Sequence, residues 1–183
     1  MIEDIEEVLY SQEALAQRVS ELGAAITDHY KQAVDDGEEV VAVCVLRGAT
    51  IFAADLVRAI DLPVVMDFMA VSSYGSAAKS SGEIAIQKDL VESIEGKHVL
   101  IIEDIIDTGL TLAHLVALLE TRNPASVHVV ALMRKDLPGQ PELPLLGEGF
   151  PCPDAFVVGY GLDYAEHYRN LPYIGVLKPE IYS

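Results

Sequence analysis

The chain has 183 residues, 51% of them apolar and 22% charged, which suits one packed domain with a sizeable core and is too short for two full ones. Its formal charge of −17 at pH 7 argues against sequence-independent nucleic-acid binding, which draws on clustered Lys and Arg; most of that charge serves solubility.

From the N-terminus, Leu15, Val19, Leu22, Ile26 and Tyr30 recur at helical spacing, predicting a helix over 11–33 that gives way to Asp35-Asp36-Gly37. Residues 40–45 form a continuous β-branched apolar run, the mark of a strand buried on both faces. Leu46-Arg47-Gly48 is a turn, followed by a helix through Ile51, Phe52, Leu56 and Ile60, and then by a strand over 63–71. Residues 72–82 are small and polar with two glycines, a composition that predicts a mobile loop. A returning strand is expected over 83–90, with Ile84 and Ile86 in alternation. A strand over 97–103, a helix over 112–121 and a strand over 126–133 continue the pattern. Alternating strands and helices imply an α/β fold: a parallel twisted sheet with right-handed crossovers, flanked by helices.

After Lys135 the prolines at 138, 141, 144, 151 and 153 break up any long element. Short strands are expected near 155–160 and 173–177. Residues 135–183, with part of the N-terminus, are read as a small cap on a core spanning about 37–134, the whole forming one domain. Cys44 and Cys152 lack metal or disulfide spacing, and Cys44 reads as a small core residue. The acidic start Met1-Ile2-Glu3-Asp4 has no signal-peptide core, and no apolar run is long enough to span a bilayer. A cytoplasmic protein with no membrane or nucleic-acid partner is expected.

The most informative stretch is Val99 to Thr111, where a buried strand runs into Glu103-Asp104-Ile105-Ile106-Asp107-Thr108-Gly109-Leu110-Thr111 and then an amphipathic helix. In an open α/β sheet this edge is where ligands bind. Thr108-Gly109 and the first amides of the helix offer donors to an anion. Carboxylates there repel an anion, so each needs another task. Glu103 and Asp104 suit sugar hydroxyls or a Mg²⁺-bound sugar, because ionised carboxylates only accept hydrogen bonds. Asp107, deeper in the turn, is placed to exchange a proton with a reacting base.

This stretch resembles the phosphoribosyl-diphosphate motif of the hypoxanthine–guanine phosphoribosyltransferases, down to two acids, two aliphatics and Asp-Thr-Gly. The resemblance implies the type I phosphoribosyltransferase fold with a hood subdomain. It also implies purine salvage: transfer of the 5-phosphoribosyl group from 5-phosphoribosyl-1-diphosphate to N9 of hypoxanthine or guanine, giving IMP or GMP and diphosphate. Residues 106–111, with Asp107 as catalytic base or acid, would then hold the sugar phosphate. Leu46, Arg47 and Gly48 look like the family's pyrophosphate loop, in which the peptide before the basic residue is often cis. Ser73 and Tyr74 match its flexible catalytic loop, which shields the reacting centre from water.

Lys135 resembles the lysine that donates to the purine 6-oxo group, a choice that opposes adenine. In Asp154-Ala155-Phe156-Val157-Val158-Gly159-Tyr160-Gly161-Leu162-Asp163 the resemblance assigns Phe156 to stacking on the purine and the Val157 backbone to its edge. Asp163 would hold a second Mg²⁺ through its carboxylate, apart from the one at Glu103 and Asp104, and Arg169 would hold diphosphate. A homodimer or homotetramer is expected. Leu110 departs from relatives that carry a polar or basic residue there. Two alternatives share the phosphate motif: a xanthine-preferring transferase, and a nucleotide-sensing regulator, which would need a basic face or an added domain.

Overall fold

In the computed structural model, which describes residues 1–73 and 84–182, two sheets share the chain. The strands of the larger sheet are β2 (Val40–Val45), β3 (Val64–Ser73), β4 (Ile84–Lys88), β5 (His98–Ile106), β6 (Ser126–Arg134) and β7 (Leu145–Pro151). Their spatial order is β4-β3-β2-β5-β6-β7, all parallel except β4, which returns antiparallel along β3. Every residue of β2 is buried, as its uninterrupted apolar run requires of a central strand.

Alternation along the strands divides the core between two faces. Ala42, Cys44, Leu100, Ile102, Val130 and Leu132 pack beneath α1 (Gln12–Asp35) and α2 (Thr50–Ala59). Val41, Val43, Val99, Ile101 and Val129 face α3 (Leu110–Glu120) on the other side. The α1 helix begins where Ser11 Oγ accepts from Ala14 N at 3.2 Å. It buries Leu15, Val19, Leu22, Ile26 and Tyr30, the residues that carried its sequence signal. Cys44 is fully buried, and burial pushes its thiol up to about 11, in keeping with a packing role.

Several boundaries differ from the expectations. A short strand, β1 (Ile5–Tyr10), precedes the first helix and pairs antiparallel with β9 (Ile174–Leu177), which also pairs with β8 (Val157–Val158). Its two consecutive glutamates and irregular register hid it from the alternation test. The expected cap at 135–183 is divided: residues 145–151 are the outer strand of the main sheet, not part of a separate cap. The prolines that argued against structure there flank or end that strand, positions an edge tolerates. The strand expected at 155–160 shrinks to two residues. The chain continues into a last turn of helix, α4 (Pro179–Tyr182). The loop expected from Ser72 starts later, since Ser72 and Ser73 belong to β3; its remainder, including Tyr74, lies outside the described residues. Among the described residues no helix is long and apolar enough to cross a membrane.

Candidate active site

Of the residues singled out by the sequence, Leu46-Arg47-Gly48, Glu103 to Thr111 and Lys135 sit at the C-terminal ends of β2, β5 and β6, the ligand edge of an open parallel sheet. Strand β5 runs on to Ile106, so Glu103 and Asp104 lie within it and not in the turn beyond. The two acids therefore open onto different cavities. Asp104 lines one of about 310 Å³. Glu103 lines another of about 260 Å³. Burial lifts the Glu103 carboxyl well above its ordinary range, and the neighbouring Asp104 charge adds to this. Burial raises Asp104 as well, against a 2.7 Å hydrogen bond from its neighbour Ile105 N and the positive charge of Arg169.

Asp104 reaches across to the turn after β2. A Cβ on Gly48 would stand 1.5 Å from Asp104 Oδ2, so only glycine leaves that carboxylate its position. The Leu46–Arg47 peptide in this turn is cis, as the resemblance implied. Leu46 N donates to Met69 O at 2.8 Å, and the Thr50 hydroxyl donates to Arg47 O at 2.6 Å.

After β5 the chain turns through exposed Asp107 and Thr108, and Gly109 caps α3 at φ 75°. That left-handed conformation suits glycine. The helix starts at Leu110, two residues earlier than expected, so Leu110 and Thr111 form its first turn. The opening N–H groups of a helix have no partner within it, and they face the end where an anion is best held. Leu110 is exposed and brings no charge, so the backbone carries this turn.

The larger cavity is lined by Asp107, Lys135, Cys152, Phe156, Val157 and Asp163, among others. Lys135 follows β6, its N–H donating to Ile106 O at 2.9 Å, and its Nζ lies 3.1 Å from Asp107 Oδ1. Phe156 presents an exposed ring, packed against Tyr182 of α4 at 5.0 Å between centroids and edge-on to Tyr164 at 5.4 Å. Val157 is buried in β8, with its partner Val176 across the small sheet. The smaller cavity is lined by Leu46, Glu103, Ile106, Thr108, Gly109 and Thr111. The two cavities have Ile105 and Asp107 in common.

The two arginines assigned to diphosphate are tied to acids. Arg47 Nη1 meets Glu166 Oε2 at 2.9 Å, and Arg169 Nη2 meets the same oxygen at 3.3 Å and Asp163 Oδ1 at 2.9 Å. Arg169 hydrogen-bonding holds Glu166 below the usual carboxylate range. Sequence reading passed over Glu166, whose one signal is its even spacing between Asp163 and Arg169. It gave Cys152, buried in the cavity wall, no place in the site, and it passed over Tyr182 beneath Phe156. Ser73 ends β3, its backbone opposite Ile84.

A parallel sheet with two adjoining cavities and the start of a helix at one edge is a frame for a phosphorylated ligand. Residues 8–165 match the phosphoribosyl transferase domain family, and the chain belongs to it. Within that family it is 52% identical to the hypoxanthine-guanine phosphoribosyltransferase of Bacillus subtilis, covering 100% of this chain and 99% of the relative. It is 51% identical to the enzyme of that name from Dictyostelium discoideum, over 97% of this chain and 98% of the relative. A crystal structure of a hypoxanthine phosphoribosyltransferase from Staphylococcus aureus superposes with a TM-score of 0.91 at 46% identity, covering 100% of this chain and 97% of the other.

Proposed function

We propose that this chain is a purine-salvage enzyme that transfers the phosphoribosyl group of 5-phosphoribosyl-1-diphosphate to N9 of hypoxanthine or guanine, releasing diphosphate. The observation that carries the reading is the pair of cavities meeting at Asp107. One has an aromatic wall and a lysine, suited to a flat base with a carbonyl. The other ends on the first turn of α3, suited to a phosphate. The new bond would form where they join.

In this reading the backbone of 108–111 holds the 5′-phosphate, and Glu103 orients the ribose. Phe156 stacks on the purine, the Val157 backbone meets its edge, and Lys135 donates to the 6-oxo oxygen. As the N9–C1 bond forms and the C1–diphosphate bond breaks, Asp107 takes the proton from N7. The Leu46-Arg47-Gly48 turn and Arg169 hold the departing diphosphate, with Arg47 and Arg169 exchanging part of their hold on Glu166 for it. Ser73 and Tyr74 belong to the same proposal as the segment that covers the centre.

Mg²⁺ suits this donor set. Glu103 and Asp104 open onto different cavities but their side chains hydrogen-bond each other, and burial raises both carboxyls, a cost that a divalent cation beside them would offset. Asp163 accepts from Arg169 and from Glu166 N at 2.8 Å, and its remaining lone pairs would be open to a cation. Among the described residues no three potential ligands converge to hold a metal unaided, and Mg²⁺ commonly completes its shell with substrate phosphates and water. When bound, it would neutralise the charge of the leaving diphosphate. A cytoplasmic location and an assembly of two or four copies belong to the same reading.

Steady-state assays with hypoxanthine, guanine, xanthine and adenine, with and without Mg²⁺, test the proposal. Turnover of hypoxanthine and guanine that depends on Mg²⁺ is expected. Preference for xanthine would reassign the substrate, and failure with all four bases would overturn the reading.

A further inference from the structure

The turn after Lys135 holds a polar side chain that the proposed chemistry does not use. Gln140 Nε2 donates to the backbone carbonyl of Asp107 and to that of Lys135, the latter at 2.9 Å. Its Oε1 accepts from Arg134 Nε at 3.2 Å. A primary amide has two N–H donors, and both are spent on these carbonyls. The guanidinium fixes which end is which, because a flipped amide would set nitrogen against a pure donor and oxygen against two acceptors. Arg134 is in turn held by Glu148 Oε2 of β7 at 3.4 Å.

The location gives these bonds their meaning. β5 and β6 stay in register as far as Ile106 and Arg134, and the Lys135 N–H to Ile106 O bond is the last between them. Beyond that point the two chains part, one towards Asp107 and the phosphate turn, the other towards the prolines. Gln140 bridges the gap at the two residues that face each other across it. The next residue, Pro141, sits against the phosphate turn, 3.3 Å from where a Cβ on Gly109 would lie.

We infer that Gln140 is a positioning residue that sets the separation of Lys135 and Asp107 by holding both of their backbone carbonyls, and so couples recognition of the base to its proton transfer. The inference rests on the roles proposed above for Lys135 and Asp107. Reacting groups misplaced by about 1 Å can lose as much as 10²-fold in rate. The effect is expected in the purine half of the reaction, since the amides of α3 that hold the phosphate are formed by the helix itself.

Two substitutions separate positioning from packing. Gln140→Ala removes the side chain. Gln140→Glu keeps its volume and its acceptor towards Arg134 but replaces both donors with an acceptor. The expected result is that both variants lower kcat/KM for hypoxanthine at least about tenfold and narrow its margin over adenine, with KM for 5-phosphoribosyl-1-diphosphate within about threefold of the parent. Should Gln140→Ala melt early, Gln140→Glu carries the test alone. Lys135→Gln is measured alongside. If it narrows the margin while Gln140→Glu leaves kcat, KM and base choice unchanged, the positioning role is overturned and the reading of Lys135 stands. If Lys135→Gln leaves base choice unmoved, the role of Lys135 falls, and the inference about Gln140 falls with it.

Discussion

Lys135 Nζ and Asp107 Oδ1 lie 3.1 Å apart, so the group proposed to read the base and the group proposed to take its proton hold each other in the free chain. Both face the larger cavity. In a 6-oxopurine the O6 and N7 atoms are neighbours on one edge. An incoming base can place O6 at the ammonium and N7–H at the carboxylate, entering the ion pair without leaving either charge unpartnered. With Asp107 more than half exposed and Lys135 partly so, solvent screens the pair and this exchange costs little.

Asp107→Ala should lower turnover roughly 10²- to 10⁴-fold, the range of a lost general acid–base group. Affinity for 5-phosphoribosyl-1-diphosphate should suffer far less, because a negative charge near the phosphate has gone. Turnover near that of the parent would remove Asp107 from the mechanism.

Base choice should depend on Lys135. The unmodified chain should strongly prefer hypoxanthine and guanine to adenine, since an ammonium donates to a 6-oxo group and cannot accept from a 6-amino group. Lys135→Gln supplies an acceptor and should narrow the gap in kcat/KM. Efficient adenine turnover by the parent would count against both the residue and the substrate class.

Gly48→Ala should be costly out of proportion to one methyl group. The new Cβ would meet Asp104 Oδ2 at 1.5 Å, and it would push on a half-buried carboxylate. Overpacking of this kind costs roughly 1–3 kcal/mol. Denaturant unfolding should show that loss, and KM for 5-phosphoribosyl-1-diphosphate should rise. A variant with unchanged stability and KM would mean that the turn relaxes freely.

Asp67, buried in β3, should make the fold acid-sensitive. Burial alone would raise its carboxyl, but hydrogen bonds from Val91 N at 2.8 Å and Phe68 N at 2.7 Å, with Lys88 Nζ at 3.6 Å, outweigh it and leave the carboxyl below its ordinary value. A depressed carboxylate stabilises the fold above its unfolded pKa of about 3.9, and that contribution is lost as pH falls through the lower folded value. Asp67→Asn should cost roughly 1–3 kcal/mol at neutral pH. It should also flatten the fall in Tm below about pH 4. Parallel Tm-versus-pH curves for the two proteins would exclude this role.

The sequence by itself determined the buried strands, because an apolar run such as Val40–Val45 needs no knowledge of its neighbours to demand burial. It determined the helix α1 by period, and it carried the turn before α3 in the local order of Asp107, Thr108 and Gly109. Only the tertiary structure decided which cavity each of Glu103 and Asp104 faces, since the strand's true end depends on pairing with β6. The same holds for β1, which exists through its pairing with β9 across most of the chain, and for β7, whose edge position excuses its prolines. Glu166 gains its meaning only when Arg47, far away in sequence, comes within 2.9 Å. Backbone period is written in neighbouring residues, whereas a side chain's partner is set by where distant strands end, and Gln140 between Asp107 and Lys135 belongs to that second kind.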